Sequence, residues 1–210
     1  MPKAVKPIVF LVCLIPALWW LYLVWLAYQG DTDNLGPDPA KTFALESGEW
    51  SIRFLVIALA ITPARYLLNA PGLWRFRRMI GLFAFFYTAI HFLVFLLLYL
   101  QLAWGDLGKE IVERPYITLG FAAFLLLLLL SLTSFNLAQR KMGRSWKRLH
   151  RAVYFAAVLA VLHMVWIVRS SFGEALFYGA LVFFLLLYRL LHKLFPAVRQ
   201  FSLPLPHKFF

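Results

Sequence analysis

Long runs of apolar residues alternate along the chain with short polar segments. A helix needs about 20 apolar residues to cross the hydrocarbon layer of a bilayer, and six runs approach or reach that length. They cover approximately residues 8–28, 52–69, 79–101, 116–135, 150–169 and 175–194. Stretches such as FLLLLLLSL (124–132) lack the polar alternation of a transmembrane β-strand. The pattern therefore predicts an all-α integral membrane protein, a bundle of six transmembrane helices.

Composition supports the same class. The 210 residues are 63% hydrophobic and only 14% charged, and a soluble domain of this length cannot bury so much apolar surface. The first apolar run is too long for the core of a cleaved signal, and no small-residue cleavage site follows it. No loop is long enough for a second folded unit, and no internal repeat is evident. A single transmembrane domain over residues 1–210 is predicted.

The distribution of charge predicts the orientation. If the N-terminus is cytoplasmic, all nine Asp/Glu fall on the external side, but only five of the 21 Lys/Arg do: Lys41, Arg53, Lys109, Arg114 and Arg169. This is the split that the positive-inside rule produces. Both termini are therefore expected in the cytoplasm. The net charge of +12 is interpreted as a determinant of the protein's orientation in the lipid membrane, and not as a surface for nucleic acid.

The orientation also assigns the loops. External loops are predicted at about 29–51, 102–115 and 170–174, and internal loops at about 70–78 and 136–149. None carries a strand followed by G-x-G-x-x-G, so no nucleotide-binding fold is predicted. Any chemistry must take place within the bundle or through a partner.

Two histidines, His91 and His163, lie inside predicted spans that run in the same direction. They follow the inner ends of their spans by 12 and 13 residues, which places both rings roughly 18–20 Å from those ends. No acidic residue lies within the predicted spans to pair with them. Two neutral imidazoles at one depth favour a metal-centred cofactor, and haem b with two histidine ligands suits an apolar bundle. The alternative is that each ring bonds a hydroxyl or carbonyl of a neighbouring helix.

A third histidine, His150, lies at the inner boundary of the fifth span, 13 residues before His163. In an ideal helix this spacing puts the two side chains about 140° apart, so two stacked haems would require bending. No histidine occupies the corresponding part of the third span, where Arg77 and Arg78 lie. These arginines, like Arg148 and Arg151 beside His150, are candidates for binding carboxylates or phosphates, such as haem propionates or a flavin phosphate. Simple anchoring at the inner face is the alternative.

The remaining histidines, His192 and His207, lie at or beyond the inner end of the sixth span. They are expected to face water or lipid headgroups. The only cysteine, Cys13, cannot form an internal disulfide, and the chain has no C-x-x-C-H motif. Covalent attachment of a c-type haem is therefore excluded.

Seven short motifs occur in a characteristic order along the chain. They are ITPARY (61–66), RRMIGL (77–82), AIHF (89–92), ERPYITLG (113–120), LTS (132–134), KRLHRAVY (147–154) and LHMVW (162–166). Their order and spacing resemble the MsrQ (YedZ) family of the ferric-reductase-like transmembrane superfamily. The resemblance covers about residues 8–195.

The resemblance implies b-type haem and an electron-transfer subunit of the bacterial inner membrane. It implies electron delivery to MsrP, a periplasmic molybdopterin enzyme that reduces oxidised methionine in proteins, so that final catalysis belongs to the partner. Electrons would come from the quinone pool or a cytosolic flavin reductase, and FMN is a further implied cofactor. The haem-associated histidines of the family map onto His91, His150 and His163. Two alternatives remain: another carrier of the same architecture, such as a ferric or quinone reductase, and a haem-free transporter or assembly factor.

Overall fold

The computed structural model describes residues 5–31, 33–167 and 172–195, and these ranges contain helices and no strand. The α-helices are α1 (Val5–Tyr28), α2 (Pro39–Leu67), α3 (Arg77–Val94), α4 (Trp104–Glu113), α5 (Pro115–Leu132), α6 (Asn136–Met142), α7 (Arg144–Leu149), α8 (Ala152–Ile167) and α9 (Gly173–Leu194). A 3₁₀ segment, Pro71–Phe76, precedes α3, and a π-helical segment, Phe95–Tyr99, follows it.

Six helical segments are long and apolar enough to cross a membrane. They are α1, α2, α3 with its two flanking segments, α5, α7 together with α8, and α9. The predicted fold class, an all-α bundle with six membrane-spanning helices, is confirmed. The remaining two helices, α4 and α6, are short and lie within segments that were predicted as loops.

Helix α2 begins at Pro39, well before the predicted start of the second span near residue 52. The Asp38 carboxylate caps the helix by accepting a hydrogen bond from the Lys41 N–H at 3.0 Å, and Pro39 occupies the first turn, where its missing N–H costs nothing. Most of the predicted external loop 29–51 is therefore helical. This extension brings residues 44–48 over α3, where the candidate site lies.

The bundle is organised around two helix pairs. Helix α2 packs along α3, and α5 packs along α8, whereas α9 lies against α8 and α2, and α1 rests mainly on α3. Ala84 on α3 and Ala156 on α8 are completely buried, and such small residues allow helix backbones to approach closely. Tyr87, Leu55 and Leu59 are the largest side chains that are fully buried between the helices.

Pro16 within α1 is accommodated by a side chain from α3. The Tyr87 hydroxyl accepts a hydrogen bond from the Ala17 N–H at 3.3 Å and donates one to the Cys13 carbonyl at 2.7 Å. In a regular helix, the Ala17 N–H would donate directly to the Cys13 carbonyl. The tyrosine thereby satisfies backbone next to the proline and fastens α1 to the bundle.

Pro63 within α2 is accommodated by the last helix. Because proline has no N–H, the carbonyl four residues earlier, that of Leu59, loses its helical donor. The Arg189 guanidinium from α9 donates to this carbonyl and also, at 2.8 Å, to the Leu185 carbonyl of its own helix. The arginine therefore replaces the missing backbone hydrogen bond of α2.

Candidate functional site

His91 on α3 and His163 on α8 lie together. Their ring centres are 6.2 Å apart, and their ring planes meet at 77°. We refer to these two residues as the histidine pair. The two rings that were predicted to lie at one depth are therefore close to each other. Among the described residues, α3 and α8 are not a closely packed helix pair, so the rings meet across a gap between the two backbones.

Each ring of the pair is fixed by a backbone carbonyl. Nδ1 of His91 hydrogen-bonds the Ala44 carbonyl at 2.9 Å, and Nδ1 of His163 hydrogen-bonds the Tyr116 carbonyl at 2.6 Å. A carbonyl only accepts, so Nδ1 carries the proton in each ring, and Nε2 of a neutral ring keeps its lone pair. The carbonyl bonds of the alternative interpretation are thus present, but they use only one nitrogen of each ring.

Nε2 has no recorded hydrogen-bond partner in either ring within the described part of the chain. Histidines that ligate a metal through one nitrogen usually donate the other N–H to a carbonyl or carboxylate, which fixes both tautomer and ring orientation. The histidine pair therefore has the proton arrangement of two prepared metal ligands.

Each imidazole of the pair packs closely against a glycine. An ideal Cβ at Gly48 would lie 3.2 Å from Cε1 of His91, and one at Gly120 would lie 2.8 Å from Cε1 of His163. Gly48 follows Ala44 by four residues, as Gly120 follows Tyr116. Because residues four apart share one helix face, the missing side chains leave the carbonyls accessible to the rings.

This arrangement repeats along the chain with one offset of 72 residues. The offset relates Ala44 to Tyr116, Gly48 to Gly120, and His91 to His163, and it also relates the buried alanines Ala84 and Ala156. In both halves the histidine follows its carbonyl partner by 47 residues. The sequence prediction of no internal repeat is therefore wrong at the level of structure, since α2–α3 and α5–α8 place equivalent residues on the pair.

Polar groups of α2 lie near His91. The Ser47 hydroxyl lies 3.3 Å from Nδ1 of His91, whereas Phe92, the next residue along α3, stacks with Phe124 at 4.4 Å. The longer α2 also carries Glu46 and Glu49, so the prediction that the spans contain no carboxylate is wrong.

Both carboxylates have other partners. Glu46 accepts a hydrogen bond from the indole N–H of Trp20 at 2.8 Å. Glu49 forms an ion pair with Arg53 at 2.5 Å. Neither is recorded as a hydrogen-bond partner of His91, so the imidazoles of the pair are held by neutral groups.

The pair fits a metal-centred macrocycle. One ion bonded by two imidazole nitrogens at about 2 Å each would place the ring centres roughly 6 Å apart, close to the observed 6.2 Å. Within the described ranges no cluster of three His, Cys, Asp or Glu could hold a metal alone. Haem would need only two ligands from the protein, which His91 and His163 could provide.

His150 lies apart from the pair, in the turn between α7 and α8. Its Nε2 forms a hydrogen bond with the Thr133 hydroxyl at 3.2 Å, and its ring stacks on Trp146 at 3.9 Å. Because one helix ends at Leu149 and the next begins at Ala152, the angle expected for an unbroken helix does not apply between His150 and His163.

The two arginines predicted as cofactor ligands lie near the start of α3. The Arg78 guanidinium donates to the Asn136 side-chain carbonyl at 2.6 Å, and that of Arg77 lies 5.1 Å from the centre of the Trp74 ring. We refer to His150, Arg77 and Arg78 as the basic end. No second histidine is recorded in contact with His150 among the described residues.

The expectation that His192 faces water or headgroups is wrong for one of its atoms. Its Nε2 is buried without a hydrogen-bond partner in the described part of the chain, and the rings of Tyr66 and Tyr188 each lie 5.5 Å from its ring. His207 lies outside the described residues.

Sequence reasoning identified the histidine pair but missed its supports, namely the two glycines and the two carbonyls. The sequence feature that could have indicated these supports is a single glycine among larger residues of a helix, in LESGEW (45–50) and ITLGF (117–121). Glycine lowers helix stability there, so its presence calls for a packing reason. The approaching imidazole provides that reason.

Comparisons with known proteins place these features in context. Residues 47–161 match the family model "Ferric reductase like transmembrane component". The chain is 40% identical over 202 residues to the "Protein-methionine-sulfoxide reductase heme-binding subunit MsrQ" of Polaromonas naphthalenivorans (strain CJ2), covering 95% of this chain and 90% of that one. It is 43% identical over 183 residues to the protein of the same name from Caulobacter vibrioides, covering 87% and 84%. No solved structure matches the chain.

Proposed function

Because the chain belongs to the MsrQ family of ferric-reductase-like transmembrane proteins, we propose that it is a b-type cytochrome that relays electrons across a bacterial inner membrane. The named relatives are heme-binding subunits of a protein-methionine-sulfoxide reductase. The proposal transfers that cofactor and that reaction system to this chain.

The observation that carries the proposal is the histidine pair, with each Nδ1 bonded to a carbonyl and each Nε2 without a recorded partner. When bound, haem supplies reversible one-electron chemistry at iron. The chain would hold the haem through the imidazoles of His91 and His163, whose tautomers are fixed by the carbonyls of Ala44 and Tyr116. With two protein ligands on the iron, the haem would serve as an electron relay and not as a substrate-binding site.

In this proposal, MsrP is the partner that receives the electrons. We place the donor, quinol or a cytosolic flavin reductase, on the side where most Lys/Arg lie, and MsrP on the opposite side. This assigns both termini to the cytoplasm, in agreement with the charge distribution. Reduction of methionine sulfoxide takes place in MsrP, and the chain itself catalyses no reaction on the final substrate.

The basic end is assigned a second cofactor role. His150 offers an imidazole, and Arg77 and Arg78 offer guanidinium groups that suit carboxylates or phosphates. A second haem or FMN are the two candidates. What supports this assignment is the absence of any Asp or Glu between residues 50 and 105 or between 114 and 173, so the cations on these segments have no acidic neighbour in sequence.

The experiment that tests the proposal begins with the absorbance spectrum of protein expressed with ample haem. A low-spin b-type spectrum that changes on reduction is expected. The reduced protein is then mixed with purified MsrP or with chelated ferric iron, and reoxidation is followed. Faster reoxidation by MsrP is expected. A folded protein that carries no haem would refute the cytochrome, whereas preference for chelated iron would refute only the partner.

A further inference from the structure

A groove of about 780 Å³ lies between α8 and α9. Its walls are mainly aliphatic, and several wall residues are exposed on the outer surface of the bundle, among them Val158, Leu162 and Phe183. At one end, Arg151, Arg189 and Lys193 line it together with Tyr154. The groove is therefore apolar along its length and cationic at one end.

The groove has the length of one membrane leaflet. On one side its lining extends from Arg151, which directly precedes α8, to Leu162, and on α9 it extends from Lys193 back to Gly179. At 1.5 Å per residue these spans are roughly 16 Å and 21 Å, compared with about 15 Å for half of the hydrocarbon core. At the far end the helices touch, since an ideal Cβ at Gly179 would lie 3.4 Å from Cγ1 of Val161. The groove is thus about as long as half of the hydrocarbon core is thick.

At the cationic end of the groove, Arg151, Arg189 and Lys193 form no ion pair with another described residue. The two ion pairs among the described residues, Glu49–Arg53 and Glu110–Arg114, involve other segments. Arg189 uses part of its guanidinium on the Leu59 and Leu185 carbonyls and lies over the Tyr154 ring. Arg151 and Lys193 are exposed. Positive charge at this end is therefore free to meet an anion.

We propose that the groove binds one anionic phospholipid, with its phosphate between Arg151 and Lys193 and one acyl chain along the apolar walls. Charge complementarity selects this occupant, since basic pockets between transmembrane helices bind anionic headgroups. A neutral quinone would fit the walls but would leave the cations without a partner. A zwitterionic lipid would bring its own positive charge to a positive site.

The test uses the haem-loaded protein in detergent, stripped of lipid and examined by native mass spectrometry. Dioleoylphosphatidylglycerol and dioleoylphosphatidylcholine have the same acyl chains, so any difference between them reports the headgroup. One retained phosphatidylglycerol per protein is expected, with retention of phosphatidylcholine at least tenfold lower. Equal retention of the two lipids would overturn the proposal.

Charge variants test the position of the headgroup. The double substitution Arg151→Gln/Lys193→Gln is expected to weaken phosphatidylglycerol binding about thirty-fold, because two favourable charges are lost. The matched control, Arg140→Gln/Lys141→Gln on α6, removes one Arg and one Lys that do not line the groove, and it should bind as the unmodified protein does. If both double variants lose binding equally, net charge and not the groove recruits the lipid, and the proposal fails.

A third variant tests the acyl chain without changing charge. Val158→Trp fills part of the groove at a side chain that is already exposed, and at least a tenfold loss of phosphatidylglycerol is expected. Binding that survives this substitution would contradict the proposed path of the acyl chain.

A competition experiment tests other ligands. Inorganic phosphate should not displace the lipid; displacement by phosphate at equal concentration would identify a small-anion site instead and overturn the proposal. Displacement by a neutral quinone would identify that ligand and overturn the lipid assignment.

Discussion

The histidine pair and the basic end are related by the same sequence spacing, yet they are built differently. Thirteen residues before His163 lies His150, and thirteen residues before His91 lies Arg78. At the pair, two imidazoles each have a carbonyl partner and an underlying glycine. At the basic end, one imidazole bonds Thr133 and one guanidinium bonds Asn136.

This difference teaches that a repeated scaffold does not by itself repeat a ligand site. The offset of 72 residues relates His91 to His163 and Arg78 to His150, but only the first two residues bring two imidazoles together. An arginine cannot replace an imidazole as an iron ligand, because its guanidinium remains protonated and has no lone pair to offer. The basic end is therefore suited to binding anionic groups, whereas the histidine pair is suited to binding iron.

The largest expected effect comes from replacing a single histidine, either one of the histidine pair or His150 at the basic end. His91→Ala or His163→Ala should abolish the low-spin b-type spectrum, because each variant lacks one of the two histidines that would hold the haem. His150→Ala should leave the spectrum contributed by the pair intact. Difference spectra, normalised to protein, measure both. A normal low-spin spectrum in both His91→Ala and His163→Ala would break the comparison, since the pair would then hold no haem.

A smaller effect is expected from filling the space under each ring. Gly120→Ala places a methyl group 2.8 Å from Cε1 of His163, whereas Gly48→Ala places one 3.2 Å from Cε1 of His91. Haem content should fall severalfold in Gly120→Ala and less in Gly48→Ala, because the shorter distance forces the ring to move.

The control for these variants is Gly81→Ala on α3, where an added Cβ meets nothing within 4 Å. It should keep full haem content, and its unfolding free energy should rise by up to about 1 kcal/mol through better helix propensity. Equal haem loss in all three variants would mean that the glycines support the bundle in general and not the rings.

The smallest expected effect concerns the hydrogen bond at the basic end. Thr133→Val removes the hydroxyl that bonds Nε2 of His150 and should lower the unfolding free energy by about 1 kcal/mol. Trp146 still donates to the Thr133 backbone carbonyl, so the turn should persist. The spectrum of the pair should not change. Thermal unfolding followed by circular dichroism measures the loss, and a changed spectrum would show that the two ends are coupled.

The parts of the fold that follow from hydrophobicity could be predicted from the sequence. Six apolar runs fix six spanning helices, and a constant rise per residue puts His91 and His163 at one depth. The start of α2 was missed because Asp38 and Pro39 lie in a polar segment that resembles a loop, although together they form a helix start. The capping carboxylate was the available signal.

Other features of the site depend on contacts between distant residues, which periodicity does not report. The carbonyls of Ala44 and Tyr116 belong to residues with no chemical signature, and only the packing of helices selects them. The break at His150 also left no clear pattern, because WKRLHRAVY (146–154) is compatible with a continuous helix. The repeat was missed because the equivalent residues are few and are separated by unrelated apolar side chains.

The bond from Arg189 to the Leu59 carbonyl has a consequence for how the chain is made. Helix α2 leaves the ribosome before α9, but the group that completes the α2 backbone at Pro63 lies on α9. Until α9 is made, the Leu59 carbonyl lacks this donor, which favours continued protection of α2 by the insertion machinery or by water. Synthesis of α9 thus completes α2.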